Sequence, residues 1–71
     1  MKRSLFDAAV AYVRVIEEIE QTTDPERLRV LEEKRVIRHD EFADALKAAG
    51  IRYRDREHVT RIAFRIAREE L

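Results

Sequence analysis

At 71 residues the chain has room for one domain, and its 1 Gly and 1 Pro are too few to turn the strands of a β-rich fold. Charged residues make up 42% and apolar residues 45%, which excludes the disordered class, charged but poor in apolar side chains. The absence of Cys excludes disulfides, thiolate zinc sites and cysteine nucleophiles, and 15 basic against 15 acidic side chains leave no net charge to attract a nucleic acid.

The first helix is expected from Leu5 to Gln21, with Ser4 as N-cap and Asp7 three residues on as in a capping box. From Leu5 to Ile16 only Asp7 and Arg14 are polar, and they sit seven apart on one narrow stripe. A helix apolar around most of its circumference needs neighbours on most sides, so this one is expected at the centre of the bundle. Leu5, Phe6, Ala9, Val10, Tyr12, Val13 and Ile16 are the candidate protein interface, because ten apolar residues in twelve exceed what one core face requires. After Ile16 the helix turns acidic at Glu17, Glu18 and Glu20.

Asp24-Pro25 starts the second helix, Asp as cap and Pro at the first helical position. Its apolar set is Leu28, Val30 and Leu31, and Val36 and Ile37 fall out of phase with it. The phase break predicts a connector from Lys34 to His39, with one long kinked helix as the alternative. A third helix, capped by Asp40, would bury Phe42, Ala43, Leu46 and Ala49 and close at Gly50 in a left-handed C′ conformation, with Ile51 folding back on Leu46. Asp55 caps a fourth helix running to the end of the chain, with Val59, Ile62, Ala63 and Ile66 inward and Phe64 and Leu71 widening that face.

The reading is therefore an all-α fold, a compact bundle of three to four short helices with a largely apolar first helix, in a single helical domain covering residues 1–71. No apolar run approaches the ~20 residues of a membrane span. Met1-Lys2-Arg3 resembles a signal start, but Asp7 and Arg14 interrupt the apolar stretch behind it and no cleavage site is evident. A cytoplasmic location and no membrane partner are expected.

Charge is unevenly spread. Residues 1–33 carry five basic and eight acidic side chains, and residues 34–71 carry ten and seven. Most of the excess cation is in the last helix, where Arg54, His58, Arg61, Arg65 and Arg68 are spaced by three and four and share one face. These five are the candidate nucleic-acid contacts, since a row of Arg suits phosphate binding. The plainer expectation is a solvated face, or ion pairs with Glu17, Glu18 and Glu20.

Glu41 to Gly50 leading into Arg56 to Arg68 resembles a helix-turn-helix, which would imply a small DNA-binding regulator. Ile37, Glu41, Phe42, Ala45-Leu46-Lys47 and Gly50-Ile51 resemble the end of an EF-hand. The loop positions that would hold calcium are Val30, Glu32 and Lys34, with Arg35 at the turn, so the ligands are missing. His39 lies near Asp40, Glu41 and Asp44, and His58 lies three residues from Asp55, but these carboxylates are more simply caps and surface charges. No metal, cofactor or catalytic residues are expected, and the chain reads as a non-enzyme. The expected function is a small helical protein–protein interaction module, self-associating into a homo-oligomer and regulatory in character, with nucleic-acid binding through the last helix as the alternative. Good caps, few glycines and a Glu/Arg-rich surface also match designed helical bundles.

Overall fold

The structure is a computed structural model that describes residues 4–69. Within them it is all-helical: α1 spans Leu5–Gln21, α2 spans Pro25–Ala48 and α3 spans Arg56–Glu69. Met1-Lys2-Arg3 lies outside the described residues, and so does the stretch beyond Glu69, over which the last helix was expected to continue to Leu71.

Each helix starts where its cap stands. The Asp7 N–H donates to Ser4 Oγ at 3.1 Å, the Glu26 N–H to Asp24 Oδ1 at 3.3 Å, and the His58 N–H to Asp55 Oδ1 at 2.8 Å. These bonds satisfy amides that have no partner inside the helix. The turn at 22–24 is braced from both sides, by Thr22 Oγ1 donating to the Glu18 carbonyl at 2.6 Å and by the Arg27–Glu18 ion pair.

One predicted boundary does not exist. Lys34 to His39 is helix, and Asp40 lies inside α2 and caps nothing. No Gly or Pro stands between Pro25 and Gly50, so nothing in the chain terminates the helix there. Ion pairs one turn apart, Glu32–Arg35 and Arg38–Glu41, both at 2.8 Å, brace the same stretch. The phase break records instead that Val30 and Ile37 point outward, 55% and 56% exposed. Where an EF-hand would have its calcium loop, this chain has continuous helix.

The end of α2 is a Schellman close. The Ile51 N–H donates to the Leu46 carbonyl at 2.9 Å and the Gly50 N–H to that of Lys47 at 3.0 Å, with Gly50 at φ 75°. Ile51 itself stays 36% exposed, so the close rests on backbone bonds more than on an apolar clasp.

α1 is the central element, packed against both other helices, while α2 and α3 meet only lightly. The core gathers around Tyr12, which is 1% exposed. Its ring meets His39 of α2 edge-on at 5.5 Å and lies over Phe42 at 6.3 Å. Its hydroxyl is 2.8 Å from Thr60 Oγ1 of α3. Thr60 donates its own proton to the Arg56 carbonyl at 3.1 Å, so Tyr12 is the donor in that pair. Leu46, Val59 and Ala63 close around these groups.

Two outcomes check this packing. Gly50→Ala is expected to destabilise by about 1 kcal/mol, entirely through the backbone, because an added Cβ meets nothing within 4 Å. Thermal melting would read this as a fall of about 4–8 °C, and a neutral result would mean α2 runs on through residue 50. Tyr12→Phe removes one buried hydrogen bond and should cost about 1 kcal/mol. Tyr12→Ala forfeits roughly 3–5 kcal/mol, comparable to all that a domain this small has, so circular dichroism should find it unfolded.

Candidate interaction surfaces

The interface residues expected on α1 divide into two groups. Ala9, Tyr12 and Val13 are buried by the chain's own helices, and Leu5 and Ile16 are half-buried against the same core. α2 and α3 thus absorb much of the apolar surface that the sequence assigns to a partner. Val10 is half-buried against that core as well, and with the half-buried Phe6 it also borders an opening between α1 and α3 that no α2 residue lines.

There they floor an open groove of about 760 Å³ together with Val13, Phe64 and Ala67. Its rim is charged: Asp7, Arg14 and Glu17 on α1, and Arg68 on α3. The floor is apolar because α3 turns small residues toward α1. Val59, Ala63 and Ala67, four apart, bring the helices close at the core and leave Phe6 and Phe64 as the two large side chains beside the seam. Among the described residues, the carboxylate of Asp7 and the guanidinium of Arg14 have no ion-pair partner.

The arginine row runs along the face of α3 next to the groove, and Arg68 belongs to both. Arg61, Arg65 and Arg68 are exposed, and His58 is half-buried at the first turn. Among the described residues the expected pairing with the acidic end of α1 is not made. Glu18 is held by Arg27 across the 22–24 turn, and Arg61 bonds Glu57 on its own helix at 2.8 Å. The geometry of a helix-turn-helix is absent as well. Seven residues, 49–55, separate α2 from α3, against a turn of three to four, and the two helices pack mainly on α1 and little on each other.

Neither histidine sits in a ligand cluster. Among the described residues no group of three His, Asp or Glu side chains is placed to hold a metal ion. His58 Nδ1 accepts from the Arg54 backbone N–H at 3.0 Å, and Asp55 is occupied as the cap of α3. His39 is buried against Tyr12, with Nδ1 3.2 Å from Asp40 Oδ1 and Nε2 without a hydrogen-bond partner. Above this corner, the Arg35 guanidinium is held above its usual range, mainly by its hydrogen bond to Glu32 and further by the Tyr12 phenol. Thr60 is the functional side chain that sequence reasoning missed. A threonine in mid-helix on the inner side of a basic face, with no end to cap, was the available signal.

Among the described residues no helix is long and apolar enough to cross a membrane. No protein-family model, curated protein or solved structure matches the chain.

The unpartnered His39 nitrogen makes a stability prediction. A buried polar atom without a partner costs free energy that an apolar group of similar volume does not. His39→Leu should therefore be neutral or stabilising in denaturant unfolding, and a loss beyond about 1 kcal/mol would show that the ring's contacts with Tyr12 and Asp40 outweigh the unpaired nitrogen.

Proposed function

We propose that this chain is a non-enzymatic helical interaction module that pairs with a second copy of itself, α1 against α1, at the open groove. One observation carries this reading. Asp7 and Arg14 are the two polar residues of an otherwise apolar stretch, they stand seven apart on the stripe that rims the groove, and neither has an ion-pair partner among the described residues.

Seven residues are two helical turns, so the pair brackets Val10 and Ala11 from either end. A two-fold axis between residues 10 and 11 runs two copies of α1 antiparallel. Asp7 of each copy then faces Arg14 of the other, with Val10 and Ala11 meeting at the centre. A two-fold interface must be self-complementary in this way, one patch meeting itself in reverse. Partner burial also suits a domain whose own core is small.

Charge exchange tests the arrangement. Asp7→Arg or Arg14→Asp alone sets like charges together at two symmetry-related places and should weaken pairing about tenfold. Exchanging both should restore it, and Ala11→Arg at the axis should abolish pairing while leaving helicity unchanged. Sedimentation across a concentration series reads all four. A native chain that stays monomeric at high concentration, or a double exchange no better than the singles, refutes the pairing.

A further inference from the structure

We infer that the outward face of α3 holds a phosphate oxyanion in a shallow site formed by Arg54, His58, Arg61 and Arg65. This does not depend on the pairing proposed above, since it uses a different face of α3.

The four side chains, with Ile62 beneath, enclose a depression of about 230 Å³. Arg54 comes from the linker, and the other three come from successive turns of the helix, so a ligand there is met from more than one side. The donors are prearranged. Asp55 caps the first turn through the His58 N–H at 2.8 Å, and the Arg54 N–H donates to His58 Nδ1 at 3.0 Å. With Nδ1 committed as an acceptor, the neutral ring carries its proton on Nε2, on the far side from the linker backbone. The imidazole is thereby fixed as a donor before any ligand arrives.

Guanidinium groups complete the set with planar forks that match phosphate oxygens two at a time. Among the described residues Arg54 and Arg65 form no ion pair. Arg61 is paired with Glu57, but both side chains are largely exposed, and such a pair yields readily to a competing anion. Between Arg52 and Arg68 the acids are Asp55, bound to a backbone amide, and Glu57, bound to Arg61. From Arg52 to Arg68 six Arg stand against these two, so the local field is positive although the chain as a whole is neutral.

A free phosphate and a nucleic-acid backbone offer the same oxygens, and one titration separates the two. The full chain is titrated with pyrophosphate, and in parallel with short single-stranded and duplex oligonucleotides, following the His58 ring resonances and binding heat. Saturable binding that shifts the His58 Nε2 signal is expected. Arg54→Gln and Arg65→Gln should each weaken it about tenfold, the scale of one charge-assisted hydrogen bond. Arg29→Gln, at an exposed α2 arginine remote from the site, should leave it unchanged. Equal or better binding of pyrophosphate identifies a free phosphate ligand. Tighter oligonucleotide binding, with a salt dependence that flattens by about 0.9 in log–log slope per arginine removed on duplex, identifies a backbone phosphate. The site is overturned if neither ligand binds saturably, or if Arg29→Gln weakens binding as much as Arg65→Gln.

Discussion

The bundle depends on one side chain reaching two neighbours. Tyr12 stands in the middle of α1, places its ring against His39 and Phe42 of α2, and donates its hydroxyl proton to Thr60 of α3. Because α2 and α3 scarcely support each other, the position of each relative to the other is transmitted through α1. A phenylalanine would keep the ring contacts and lose the directional one. A tyrosine is suited to this place because its ring is apolar and its tip is not, and the tip is matched by a hydroxyl already oriented by the Arg56 carbonyl.

That arrangement also explains what α1 leaves open. A helix apolar on nearly every side but flanked by only two neighbours has a strip that neither covers. The strip is the Phe6–Val10 margin, and its outer edge carries the two charges that interrupt the apolar run. The small residues of α3 deepen it, since Ala63 and Ala67 let the backbones approach without filling the space beside them. The surface proposed to pair copies and the surface proposed to take an anion therefore share one origin, the way α3 is set on α1.

Much of the architecture was legible because the chain punctuates itself. Ser4, Asp24-Pro25, Gly50 and Asp55 each act where their chemistry says, and α1 has the bounds expected for it. The boundary expected at Lys34 to His39 is absent because apolar phase does not govern helix continuity. Phase reports which residues are buried, whereas continuity depends on backbone propensity, and in this stretch local ion pairs and the absence of breakers decide. The Arg face of α3 could be read from spacing alone. Its freedom from the acids of α1 could not, because the competing partners, Arg27 for Glu18 and Glu57 for Arg61, are set by the turn and by the helix itself. Nor does sequence reveal how much of the α1 surface is used internally, which depends on where two other helices lie.

α3 presents its groove flank and its arginine row on adjacent sides, and this has a consequence for valency. A two-fold pair formed at the groove leaves both arginine rows outward and carries two anion sites on one rigid body. For a ligand with a single phosphate, the pair is simply two independent receptors. For a polymer with many phosphates, the second engagement is intramolecular and proceeds at the effective concentration set by the spacing of the two sites. The same modest site would then discriminate long chains from short ones by geometry, with no residue added to read length.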